Sequence, residues 1–93
     1  MIVASQTWEL FLPGCSSLKE KRSVVRSMRD RLRSKFNVSV AETGLQDSHG
    51  RAELSISLVT TDRRQAESIL DKTDQFVEGL GTAVIVRVDR AFL

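Results

Sequence analysis

The chain has 93 residues, 41% of them apolar and 28% charged, with one cysteine and a net charge of +2. A chain this short forms one domain, 1–93, and buries only about 60–65% of its unfolded surface, which leaves no volume for a deep substrate cavity. A lone cysteine excludes an intrachain disulfide, no run approaches the roughly 20 apolar residues of a membrane span, and no basic segment leads into an apolar one at the start; a cytoplasmic protein without signal peptide or membrane partner is expected.

Ile2, Ala4, Trp8, Leu10 and Leu12 alternate with Val3, Ser5, Thr7, Glu9 and Phe11, the period of a half-buried strand. Pro13-Gly14 ends it. Ser17-Leu18-Lys19-Glu20 reads as a capping box, in which Ser17 accepts from the amide of Glu20 and Glu20 reaches back to the amide of Ser17. From Leu18 to Phe36, the apolar residues Leu18, Val25, Met28, Leu32 and Phe36 recur at helical spacing. Val38 and Val40 begin a short second strand, and Gly44 to Gly50 is a polar turn. Ala52, Leu54, Ile56 and Leu58 alternate with Arg51, Glu53, Ser55 and Ser57 as a third strand. So few residues separate these two strands that they pair as a hairpin, since parallel pairing needs a longer crossover. Asp62, with Gln65 three residues on, starts a second helix whose apolar face is Ala66, Ile69, Leu70, Phe76, Val77 and Leu80. Gly79 and Gly81 stop it, and Val84, Val86 and Val88 form the last strand.

The order β-α-β-β-α-β predicts an α+β fold of the ferredoxin-like, split β-α-β kind: a four-stranded antiparallel sheet with both helices on one face. Leu12-Pro13, the run Ser17-Leu18-Lys19-Glu20-Lys21-Arg22, Val25-Arg26, the run from Phe36 to Glu42 and Phe76-Val77-Glu78 together resemble the bacterial YlxP-like family, a domain of unknown function. That resemblance implies the same fold and a bacterial gene lying near translation genes, beside that of ribosome-binding factor A. It implies no activity. Relatives often carry an aromatic residue after Gln46-Asp47, where this chain has Ser48-His49.

Charge is distributed unevenly. Residues 19–35 hold eight Lys/Arg against two Asp/Glu, a net of +6, and the rest of the chain nets −4. On a helical wheel, Lys19, Arg22, Arg26, Arg29 and Arg33 fall within about 80° of one another and form one stripe along a flank of the buried face. Arg22/Arg26 and Arg29/Arg33 are like-charge i,i+4 pairs, each costing about 0.2–0.5 kcal/mol, where a helix built for stability alone would intersperse acids. Guanidinium forks suit phosphate, so the stripe predicts contacts to RNA or a ribosome, with Lys21 and Arg31 in secondary positions. The plainer reading is a solvated flank, with stems on the core and heads in water.

The second helix carries an acidic stripe, Glu67, Asp71, Asp74 and Glu78. Both stripes lie on the same rotational side of their own buried faces. With right-handed crossovers the two antiparallel helices then turn them away from each other, giving one basic and one acidic flank. The rival function is a protein-binding or self-associating module using a sheet edge, the short second strand, and the acidic flank.

The open sheet face has Phe11 as its sole aromatic and carries acids, which argues against base stacking there. Cys15 precedes a helix N-terminus, where a thiolate is favoured, but no resolving cysteine exists. His49 and Asp47 are too few ligands for a metal site, Gly79-Leu80-Gly81 follows a helix and cannot be a phosphate loop, and Trp8 reads as packing. No catalytic residue, cofactor, metal or small-molecule substrate is expected, so the chain reads as a binding protein and not an enzyme.

Overall fold

The computed structural model describes residues 1–93. The elements are β1 (Ile2–Phe11), α1 (Leu18–Lys35), β2 (Ser39–Gly44), β3 (Arg51–Thr60), α2 (Arg63–Gly79) and β4 (Val84–Phe92). The sheet order is β2-β3-β1-β4 and every neighbouring pair is antiparallel, the ferredoxin-like arrangement. Ala4, Trp8, Leu10, Leu54 and Ile56 from the sheet meet Val25, Met28 and Leu32 of α1 and Ala66, Leu70 and Val77 of α2 in one core. Both helices therefore cover the same sheet face.

The element ends differ from expectation in small, physical ways. Ser17 Oγ accepts from the Glu20 amide at 3.2 Å, but the Glu20 carboxylate returns to the amide and hydroxyl of Ser16 instead of Ser17. Phe36 lies just beyond α1, its amide closing on the Leu32 carbonyl. β2 runs on to Gly44, so the turn shortens to residues 45–50. At α2, Asp62 accepts from the Arg64 amide at 2.9 Å, while Gln65 accepts from the Thr60 hydroxyl. α2 ends at Gly79, and Gly81 takes the left-handed conformation (φ 73°) that a residue with a Cβ rarely adopts.

β4 breaks its own alternation. Arg87 pairs with Glu9, but Ile85 pairs with Leu10, so Val86 is an extra residue without an opposite number on β1. The bulge puts Val84 beside Phe11 on the open face, whereas Val88 sits beside Trp8 on the helix face. Val84, Val86 and Val88 are all substantially exposed, at 54%, 58% and 39%, because β4 is an edge strand that the helices leave partly uncovered.

Candidate nucleic-acid interface

α1 forms because Ser17 caps its start and an apolar arc recurs along it, with Val25, Met28 and Leu32 buried. That arc fixes the helix rotation, and the rotation places the basic residues. Lys19, Arg22, Arg26 and Arg33 are exposed and Arg29 is half-buried. Arg33 donates from Nη2 to the Val40 carbonyl at 2.9 Å, which locates the stripe on the β2 side of the molecule. The opposite flank of α1, through Ser23, Ser27 and Arg31, faces α2 across a shallow groove closed by Leu80 and Thr82. Lys35 lies over the Phe76 ring at 5.0 Å, and Phe36 meets Phe76 edge-on at 5.9 Å.

The acidic stripe turns the other way. Asp71 and Asp74 of α2 bond Arg90 of β4 at 2.7 and 3.1 Å, and Glu67 lies 3.5 Å from Arg63. No ion pair joins the two stripes: Lys19, Arg22, Arg26 and Arg33 have no carboxylate partner, and Arg29 has only its sequence neighbour Asp30, at 4.0 Å. The basic and acidic flanks lie on opposite sides, as the handedness of the crossovers requires.

Lys21 is not part of this surface, which corrects its placement as a secondary phosphate contact. Its side chain is fully buried and its ammonium lies 2.7 Å from Glu42. It also donates to the carbonyls of Leu45 (2.8 Å) and Gln46 (3.4 Å). Glu42 reaches it because its β3 partner is Leu54, an inward residue, so its side chain is on the helix face. Leu45 is the sole non-glycine residue with positive φ (56°), and the bond from Lys21 helps hold it there. The signal was present in the sequence: Lys21 falls between Met28 and Leu32, in the middle of the apolar arc.

A second polar centre went unread. Gln6 is fully buried at an inward position of β1, and its amide donates to Asp74. Trp8 donates its indole N–H to the same Asp74 oxygen at 2.7 Å, and Arg90 donates to the Gln6 carbonyl oxygen. Asp74 is thus a structural acceptor within the acidic stripe, and Trp8 does more than pack.

Near the start of α1, a groove of about 480 Å³, open to solvent, is lined by Gly14, Cys15, Glu20, Ser23, Val24, Gly81 and Thr82. The bonds from the Ser16 amide and hydroxyl hold the Glu20 carboxyl below the usual carboxylate range. Burial, then the Glu20 charge, push the Cys15 thiol up and outweigh the opposite pull of Lys21, so the thiolate expected at this helix start is disfavoured. His49 lies with Nδ1 3.3 Å from the Cys15 carbonyl oxygen, and no group of three or more His, Cys, Asp or Glu is arranged around a common point. On the open sheet face, Phe11 is half-exposed and Arg51 is paired with Glu9. No helix is long and apolar enough to cross a membrane.

A family model described as "Protein of unknown function (DUF503)" matches residues 3–90. The "Uncharacterized protein YlxP" of Bacillus subtilis (strain 168) is 37% identical over 70 residues, which is 75% of this chain and 76% of that protein. A crystal structure of a C-terminal segment of the alpha subunit of aIF2 from Pyrococcus abyssi is 16% identical and aligns with all of this chain at a TM-score of 0.45, a loose likeness in which the chain spans 49% of that protein. With nearly its whole length matched and a YlxP relative sharing more than a third of the aligned residues, the chain belongs to the DUF503, or YlxP-like, family.

Proposed function

We propose that the protein is a binding protein for RNA or the ribosome, not an enzyme, and that it engages phosphates through Lys19, Arg22, Arg26, Arg29 and Arg33. One observation carries this reading: the stripe lies together on one flank of α1 with no internal carboxylate matched to four of its five charges. A flank serving only stability gains nothing from like-charge neighbours at i,i+4, whereas a polyanion gains from each of them. The gene neighbourhood that the YlxP-like resemblance implies, near translation genes, favours ribosomal RNA as that polyanion. Arg33 already spends one nitrogen on the Val40 carbonyl, which pre-orients its fork and leaves its remaining donors for phosphate.

The test is the salt dependence of binding. Four or five phosphate contacts give a slope of about −3 to −4.5 in log K against log salt, so affinity falls by roughly two orders of magnitude between 50 and 200 mM salt. Charge reversal in Arg26→Glu/Arg29→Glu removes two contacts and flattens the slope by about 1.4–1.8. Co-sedimentation with ribosomal subunits should disappear in this variant while its circular dichroism is unchanged. Co-sedimentation equal to that of the unmodified protein, or an unaltered slope, refutes the reading.

A further inference from the structure

The two edges of the sheet are not equivalent. β2 has a backbone carbonyl, that of Val40, already taken by Arg33. β4 carries three exposed valines and has no such cover. Val3 and Leu93 exchange both backbone bonds, at 3.1 and 2.8 Å. Bonding alternates along an antiparallel pair, so Ala91, Asp89 and Arg87 also bond toward β1. The N–H and C=O groups of Phe92, Arg90 and Val88 therefore point outward, unpaired, along the edge.

We propose that β4 pairs antiparallel with β4 of a second copy of this chain, about a two-fold axis at Val88. Only registers that bring outward-facing residues opposite one another can form the ladder. One residue pair up or down among these sets Asp89 against Asp89 or Arg87 against Arg87 of the other copy. With Val88 opposite Val88, Arg87 faces Asp89 of the other copy, twice by symmetry. This register keeps the ladder on both sides of the axis within residues 86–90, between the Val86 bulge of one copy and Arg90 of the other. Arg87 and Asp89 share the open face, beside Glu9 and Thr7, and pair with each other at 3.0 Å within one chain. Across the axis they occupy non-hydrogen-bonded positions, where opposed side chains come closest. Charges that guard this edge against other strands are thus complementary to their own copy.

The helices allow the approach. α2 packs across β3, β1 and β4, so the two copies of α2 stand about three strand spacings apart, roughly 14 Å, and do not collide. Arg90 and Arg63, already paired to the acidic flank, lie between them. The product is an eight-stranded sheet with a basic stripe at each outer end.

Sedimentation equilibrium tests this independently of RNA binding. The unmodified protein should be a dimer. Arg87→Asp and Asp89→Arg should each weaken association about tenfold or more, since two symmetry-related pairs turn from attraction to repulsion. An equimolar mixture of these two variants should dimerise again, because each then presents the charge the other lacks, an outcome that the pairing within one chain cannot produce. If either variant loses its native circular dichroism, Val88→Lys, which sets two ammonium groups at the axis, takes its place and should be monomeric. An unmodified protein that is monomeric at millimolar concentration, a single variant that dimerises as tightly as the unmodified protein, or a mixture that stays monomeric overturns the assignment.

Discussion

Glu42→Gln should destabilise the protein far more than Lys21→Met, although both break the same ion pair. The Lys21 side chain is 0% exposed and that of Glu42 is 21% exposed. Removing the negative charge strands an ammonium that water cannot reach, with only neutral oxygens left to it, the Leu45 and Gln46 carbonyls and the introduced side-chain amide. Breaking a buried pair from one side costs about 3–5 kcal/mol, and the two surviving carbonyls put this case near about 3 kcal/mol. A domain of this size holds only about 5–14 kcal/mol, so the loss is large. Lys21→Met removes the buried charge itself, lets Glu42 hydrate through its exposed part and orphans the Leu45 carbonyl, for about 1–2 kcal/mol. Lys21→Met/Glu42→Leu should return to within about 1 kcal/mol of the parent, since apolar replacement of a whole buried pair is near neutral. In urea the Glu42→Gln midpoint should fall by about 1.5–3 M at an unchanged slope of about 1–2 kcal/mol/M. Lys21→Met should leave the salt slope of RNA binding untouched. A Lys21→Met cost equal to that of Glu42→Gln, or a double variant no better than the worse single one, refutes this asymmetry of the pair.

Asp74→Ala strips the acceptor from the Trp8 indole, the Gln6 amide and Arg90, for about 3 kcal/mol at about 1.5–3 kcal/mol per charge-assisted bond with partial rehydration. The melting temperature, followed by the fluorescence of the lone tryptophan, should fall by more than about 10 °C, and a change of a few degrees would show the network to be dispensable. Glu20 is held below the usual carboxylate range in the folded state, so its contribution is complete above the unfolded value and disappears as pH falls through the folded one. Glu20→Gln should therefore flatten the acid limb of urea midpoint against pH, and an acid limb as steep as the parent's contradicts the assigned bonds. The same substitution removes one of the two causes that raise the Cys15 thiol, so iodoacetamide should alkylate Cys15 faster in Glu20→Gln than in the parent at neutral pH. Equal rates would leave burial as the sole cause.

The basic stripe was legible because helical periodicity fixes angular position: once Val25, Met28 and Leu32 face the core, Arg22, Arg26, Arg29 and Arg33 must share a flank. Its separation from the acidic stripe was legible too, because crossover handedness orients both helices. Lys21 was misread because residue type was weighed above position. A lysine within the apolar arc is costly alone, and the residue that makes it tolerable, Glu42, is distant in sequence and faces inward only through its register with Leu54. Asp74 lies in the acidic stripe as read, but its bonds were not legible, since its partners Gln6, Trp8 and Arg90 come from two other strands.

Hydrophobic periodicity and turn chemistry, both local, determined the six elements, their order and hence the topology of this chain. Tertiary structure alone decided which charges are free. Ion pairing is a matter of a few ångströms between residues far apart in sequence, and a one-residue bulge in β4 is enough to reassign which face of the sheet its valines occupy. The pattern along the chain could therefore say which flank is basic, while the packing of β2 and β4 said which lysine is buried and which sheet edge is open.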